Sequence, residues 1–266
     1  MIQVKWTPQI FALLSYTPLQ YMLRAMAAGS APHTCWADRE ADPSVCIVLE
    51  GHSLFVGGDA QSPAADKALD FLAHKILTPE LRQELHVIKI VYPDDAWKER
   101  LQSAFAGNEV YVYMRSVFRH PTPDTAAVQE LPQIRLISED MKKLDNFSMI
   151  QNEVESTLGS VVKFLAMGFG SALVMENRVC GFCTAEYISA GECAIGIEVL
   201  QEYQQKGYAT QMTALFLRES ARRGLVSYWE CWKNNIPSAK TAERSSFEKL
   251  ADYPVVFVVF SDPGKA

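Results

Sequence analysis

The run Gln204-Gln205-Lys206-Gly207-Tyr208-Ala209-Thr210 has the residue types needed to hold a diphosphate. A glycine at 207 and a small residue at 209 let the backbone come close to a ligand. Lys206 adds a positive side chain, and Thr210 a hydroxyl within reach of a phosphate oxygen. A helix starting here would point the unbonded N–H groups of its first turn, and its dipole, at an anion. The spacing is neither a Walker loop nor the Rossmann glycine pattern. A second group follows the run Trp229-Glu230-Cys231-Trp232-Lys233-Asn234: Asn235 and Ser238, then Ala242, Arg244, Ser246 and Phe247. Asn235 and Ser238 could bond a ligand, and each could equally cap a helix. Trp229 and Trp232 read as core or wall residues.

Other chemistries find less support. Cys180-Gly-Phe-Cys183 invites a metal or redox reading, but no second pair or histidine has zinc-site spacing with it. All five histidines lie at or before His120, and a strand would set Cys180 and Cys183 on opposite faces. No metal site is expected. The six cysteines are too few and scattered for a disulfide framework. A formal charge of -6 with no Lys/Arg-dense stretch argues against nucleic acid. A mildly acidic surface suits amine substrates and ordinary proteins alike.

These residues need elements to position them. Ser171 to Glu176, Val179 to Ile188 and Ala194 to Leu200 read as three successive strands, the last running straight into a helix from about Ala209 to Arg223, stopped by Gly224. Ser227 to Trp232 is a strand, Ser238 to Leu250 a helix and Val255 to Phe260 a last strand. Ser138 to Phe169 reads as two helices broken near Gly159. Upstream, Ser44 to Leu49 and Ser53 to Val56 are strands joined through Glu50-Gly51-His52. Pro63 to Leu77 is a helix capped by Ser62, Val87 to Tyr92 a strand, Asp94 to Ala106 a helix, and Glu109 to Phe118 a strand. Gly57-Gly58-Asp59 is either a phosphate-binding turn or, more ordinarily, a tight turn. Leu19, Met22, Leu23 and Met26 recur at helical spacing. Pro18, Gln20 and Arg24 interrupt the one stretch that loosely resembles a signal peptide. No run approaches a membrane span, and the expected location is the cytoplasm. The proline-bearing stretch Arg119 to Gln133 reads as a linker, dividing the chain into domains 1–130 and 131–266. No strong internal repeat is visible, although strand and helix alternate in both halves.

The two segments resemble the cofactor signatures of the GCN5-related N-acetyltransferases, the GNAT superfamily. The first fits the family's Gln/Arg-x-x-Gly-x-Gly/Ala loop. The second fits its Asn-x-x-Ser-x-x-x-Ala-x-Lys-x-Gly-Phe segment, with Arg244 for Lys and Ser246 for Gly. More narrowly, AIGIEV, EYQQKGYAT and WECWKNN are similar to the bacterial branch that includes the zwittermicin A resistance N-acetyltransferase. The likeness is sharp over about Gly159 to Phe247. It implies an α+β fold: a C-terminal GNAT-type domain with a mixed, splayed central sheet flanked by helices, preceded by a smaller α/β domain that is unassigned or a degenerate copy.

The resemblance also implies roles. Acetyl-CoA is the expected co-substrate. Val199 and Leu200 would pair with its pantetheine arm, with the Val199 N–H donating to the thioester oxygen. Gln204, Gln205, Lys206, Gly207, Tyr208, Ala209 and Thr210 would hold the pyrophosphate. Asn235 would bond the arm from the far wall, and Ser238 would sit near the thiol. An alkylammonium must lose a proton before it attacks, and with no histidine after His120 the base would be a carboxylate. Glu198 comes first, with Glu186 and Glu192 in reserve; a substrate anchor or a structural ion pair are the other readings of Glu198. The family tyrosine that protonates the leaving thiolate falls at Ala242, so Tyr187, Tyr203 or Cys231 would substitute, or no acid is needed. The leading expectation is an N-acetyltransferase acting on a small-molecule amine, with no nucleic acid and no membrane as partner and a homodimer left open. A protein or peptide acetyltransferase and a silent acyl-CoA-binding module are the competing readings.

Overall fold

The structure is a computed structural model and describes residues 1–51, 53–120 and 131–260. Part of the expected linker, 121–130, and His52 of the expected turn lie outside the described residues. Two compact units share the chain. One holds residues 1–27, 33–115 and the segment from Asp252 on, the other 28–32 and 116–251.

Up to residue 119 the elements run β1 (Ile2–Val4), α1 (Pro8–Leu13), α2 (Gln20–Ala27), β2 (Thr34–Ala37), β3 (Val45–Glu50), β4 (Ser53–Gly58), α3 (Pro63–Phe71), α4 (Pro79–Leu85), β5 (Val87–Val91), α5 (Asp95–Ala104) and β6 (Glu109–Arg119), all but the end of β6 in the first unit. Four helices begin on a side chain that accepts an N–H of the first turn: Thr7, Ser62, Thr78 and Asp94. The helix expected over 63–77 passes into a π-helical turn at Leu72–Ile76. The apolar run of β3 is buried on both faces. Leu54, Val56, Ile88, Ile90, Trp97 and Leu101 surround it in one core.

From residue 134 the chain continues β7 (Ile134–Leu136), α6 (Ser148–Leu158), α7 (Val161–Met167), β8 (Gly170–Met175), β9 (Arg178–Ser189), β10 (Glu192–Val199), α8 (Tyr208–Arg222), β11 (Val226–Trp232), α9 (Ile236–Arg244) and β12 (Glu248–Val259), all in the second unit except β12 from Asp252 on. Gly159, in the left-handed region at φ 89°, separates α6 from α7 as expected.

Apart from α4 and short turns, the two series have the same order: strand, two helices, three strands, helix, strand, helix, strand. Pairing follows suit. In the first unit β1 to β4 pair antiparallel in sequence and β4 pairs parallel with β5. In the second, β7 to β10 pair antiparallel and β10 pairs parallel with β11. The sixth strands are exchanged in sequence. β12 lies antiparallel to β5, pairing Val255 with Val91, and supplies Val256 and Val258 to the first unit's core. β6 neighbours β11, and its Phe118 belongs to the second unit's core.

Three expectations need correction. The leading domain, expected as α/β with α+β the other reading of its strand–helix alternation, is α+β with a mixed sheet, because tight connections such as β3–β4 enforce antiparallel pairing. The helix expected over 238–250 ends at Arg244. Ser246, where the family has glycine, turns left-handed at φ 62°, and Phe247 drops into the core against Trp229. Cys180 and Cys183 do not face opposite ways. The β8–β9 register shifts between Leu173 and Val174, this bulge breaks the alternation, and both cysteines join one core.

Candidate active site

The parallel pairing of β10 with β11 covers only Glu192–Ala194 against Val226–Tyr228. Beyond Ala194 the strands diverge, so Ile195–Val199 forms one arm of a fork and Trp229–Trp232 the other. The Leu200 N–H donates to the Cys180 carbonyl of β9, 2.9 Å away. Successive N–H groups of a strand alternate in direction, so the Val199 N–H points into the fork. Its carbonyl accepts the Gln204 side-chain amide at 2.8 Å.

The mouth of the fork is the start of α8. Gly207 occupies the N-cap position in the left-handed region, at φ 83°, and no side chain caps the helix. The first turn carries no acidic residue, and a Cβ placed on Gly207 would meet nothing within 4 Å. Gln204, Gln205 and Lys206 are exposed, and Tyr208, Ala209 and Thr210 half-buried. Lys206 rests its ammonium 5.4 Å from the Tyr203 ring. The helix is anchored behind this mouth by Met212, Phe216 and other apolar residues packed on the sheet. The N–H groups of its first turn are therefore open to an anion from outside.

On the far arm Asn235 caps α9, its Oδ1 accepting the Ser238 N–H at 3.2 Å, which leaves the Nδ2 donors out of the cap. The Ser238 hydroxyl accepts the Trp229 indole N–H at 3.0 Å. Trp229 is a buried wall residue, and Ala242 is fully buried in the core. Cys231 is buried on the same strand as Trp229. The Tyr203 phenol is raised in pKa by its hydrogen bond to Cys180.

The carboxylates separate by position. Glu198 is exposed and opposes Phe182 in the β9–β10 register, on the sheet face that α6 and α7 cover. Glu186 lies on the same face, opposite Ala194. Its carboxylate crosses over Gly196: a Cβ there would overlap Glu186 Oε1 and lie 3.0 Å from Glu153 Oε1. Glu153, half-buried on α6, is a residue the sequence reading did not single out. Its signal is the helical phase of α6, where Ile150, Val154 and Leu158 are buried and Glu153 borders that stripe. Thr184, the cross-strand neighbour of Gly196, is buried and its hydroxyl bonds no protein group. Glu192 sits at the closed end of the fork, bonded by the Tyr228 hydroxyl at 2.9 Å. Seven residue steps along the strand, about 23 Å, separate it from Val199.

Among the described residues no three potential metal ligands converge, and no helix is long and apolar enough to cross a membrane.

A GNAT acetyltransferase family profile matches residues 14–256. No curated protein matches the sequence. Among solved structures, a GCN5-related N-acetyltransferase-like protein from Streptococcus suis is 20% identical, with a TM-score of 0.71 over 94% of this chain and 97% of that one. A GCN5-related N-acetyltransferase from Sphaerobacter thermophilus is 9% identical, with a TM-score of 0.59 over 98% and 96%. A tandem GNAT protein from the clavulanic acid biosynthesis pathway is 10% identical, with a TM-score of 0.53 over 96% and 95%. At these identities the structures speak for the fold, while the profile spans nearly the whole sequence, and the chain belongs to the GNAT acetyltransferase family.

Proposed function

We propose that the protein transfers the acetyl group of acetyl-CoA to a primary amine of a small molecule by direct attack on the thioester. The observation that carries this reading is the β10–β11 fork ending at the uncapped, acid-free start of α8. The N–H groups of Tyr208, Ala209 and Thr210, with Lys206, Gln205 and Gln204, would hold the pyrophosphate there. Gly207 leaves room for it, as the empty space above its Cα supports. Val199 and Leu200 would pair with the pantetheine arm, met from the other side by the Asn235 amide, with Ser238 near the thiol.

The chemistry asked of the protein is modest. The Val199 N–H stabilises negative charge on the thioester oxygen as the N–C bond forms. A carboxylate takes the proton of the incoming ammonium, and the C–S bond then breaks to release the thiolate. Glu198 is nearest in sequence to the oxyanion donor. Glu186 and Glu153, with the Thr184 hydroxyl beside the gap at Gly196, offer an anchor for a cationic acceptor. With Ala242 buried at the family tyrosine position, the thiolate leaves unaided or takes its proton from Tyr187, Tyr203 or Cys231. The likeness of AIGIEV, EYQQKGYAT and WECWKNN to the zwittermicin A resistance branch favours an amino-bearing antibiotic as acceptor, met in the cytoplasm.

Calorimetric titration of acetyl-CoA into wild type and Gly207→Glu tests the site. Micromolar binding to the wild type, weakened at least 100-fold in the variant, is the expected result. Coenzyme A release across a panel of amines then identifies the acceptor. No binding to the wild type, or binding that the charge at 207 leaves untouched, overturns the proposal.

A further inference from the structure

The first unit repeats the fork. β4 pairs with β5 only over Ser53–Phe55 against Lys89–Val91, and Val56–Gly58 continues toward α3 paired with β3 but no longer with β5. By element order this is the counterpart of the β10–β11 fork and the start of α8. Its interior is filled by the chain itself. The Tyr16 hydroxyl lies 2.7 Å from the Val56 carbonyl and 3.0 Å from the Val91 carbonyl, its one proton shared between them across the crotch of the fork. Two residues on, the Trp97 indole N–H donates to the Gly58 carbonyl at 2.7 Å. Trp97 is fully buried. It is also the residue three past the cap of α5: Asp94 accepts the Trp97 N–H as Asn235 accepts that of Ser238. Where one fork has a small serine, the other has an indole.

The mouth of this fork is closed as well. Ser62 caps α3, accepting the Ala64 N–H at 3.1 Å, and Pro63 brings no N–H. Asp59 accepts the Gln61 N–H at 2.8 Å, and Asp66 adds negative charge to the first turn. The Ala60 carbonyl and the Asp66 carboxylate both engage Arg100. A Cβ on Gly57 would lie 2.6 Å from the Leu13 carbonyl, and one on Gly58 would overlap that of Ser44. The Gly-Gly-Asp run is thus a tight turn against neighbouring backbone, with no cradle above it.

We propose that the first unit is a second copy of the acyltransferase topology whose cofactor slot is sealed by Tyr16, Trp97 and the capped start of α3, so that each chain binds one acyl-CoA. This rests on reading the β10–β11 fork as the acyl-CoA site. Burial pushes the Tyr16 phenol well above its usual pKa, which keeps it a hydrogen-bond donor across the range in which proteins are studied. The seal does not open by titration.

Native mass spectrometry of the full chain with excess acetyl-CoA, on wild type, Gly207→Glu and Lys206→Glu, tests the stoichiometry. Lys206 is exposed, so its variant guards against a misfolded Gly207→Glu. One acetyl-CoA per wild-type chain, lost or weakened at least tenfold in both variants, is expected. Two per wild-type chain, or one retained at full affinity in both variants, overturns the sealed slot. None on the wild type leaves the seal standing and instead overturns the reading of the second fork.

Discussion

The starts of α3 and α8 stand at equivalent places in two copies of one topology, and they differ in what their backbone has left to offer. At α3 the Ser62 hydroxyl accepts the Ala64 N–H, Pro63 brings no N–H, and Asp59 accepts the Gln61 N–H just ahead of the helix. At α8 no side chain caps the helix and no acid stands in its first turn. The forks behind them differ likewise: Tyr16 and Trp97 satisfy the carbonyls of Val56 and Gly58, whereas the Val199 N–H is directed away from β9 into the fork. The topology supplies a slot twice. Whether the slot can take a ligand depends on how many of its hydrogen-bonding groups the chain has already engaged.

The contrast can be tested most severely by cutting the chain at 130/131 and expressing the pieces separately. The first piece loses β12, with Val256 and Val258 from its core, and the second loses Phe118. Each fully buried side chain is worth about 1.5–3 kcal/mol, and the β5 edge is bared besides. Neither piece is expected to unfold cooperatively by circular dichroism, and a sharp transition in either would show that the copies stand alone. Next comes Gly196→Ala, a change confined to the open copy. The side chain it displaces is the flexible end of Glu186, so stability should hold. Steady-state kinetics should show kcat/KM for the amine down about 10–100-fold, with acetyl-CoA affinity unchanged.

Tyr16→Phe addresses the sealed copy. It leaves two buried carbonyls without their donor, at about 1–3 kcal/mol, or several degrees in Tm for a chain of this size. Acetyl-CoA turnover should be unaffected, and a change in kcat would mean that the sealed slot does take part. The smallest effect is set by pH at the far end of α8. Hydrogen bonds from Arg222 and Arg223 hold the Glu219 carboxyl at about 2 against an ordinary 4.5, so folding favours its charged form. That contribution is whole above about pH 4.5 and fades as pH falls toward 2. Thermal melts of Glu219→Gln should lie below wild type at pH 7, and the gap should narrow on acidification.

The strand-to-helix junction at Gly207 and the cap at Asn235, where the candidate site lies, were legible in the sequence because their signal is local. Gly207, Ala209 and Lys206 sit within one turn, and Asn235 and Ser238 are three residues apart. Glu153 was not, since it reaches Gly196 from a helix more than forty residues upstream and shows itself only through the phase of α6. The repeat escaped notice for a related reason. Its two copies share element order, yet at matched caps one has Asp94 and Trp97 where the other has Asn235 and Ser238. The apolar run at 255–258 announces a strand, but nothing in its composition says that its partner is Val91 rather than a nearer strand. Ser246 misled the end of α9 because a left-handed serine leaves no mark in helical periodicity.

The exchange of β6 and β12 bears on how the chain is born. Val91 pairs with Val255, 164 residues further along. At 5–20 residues per second a ribosome needs roughly 8–33 s to cover that distance. Throughout that interval β5, with the sequence Val-Ile-Lys-Ile-Val, offers an uncovered apolar edge of the kind that recruits foreign strands. The first copy therefore waits, nearly complete, for the last strand to be made, and a nascent chain stalled before β12 is where aggregation or proteolysis should concentrate.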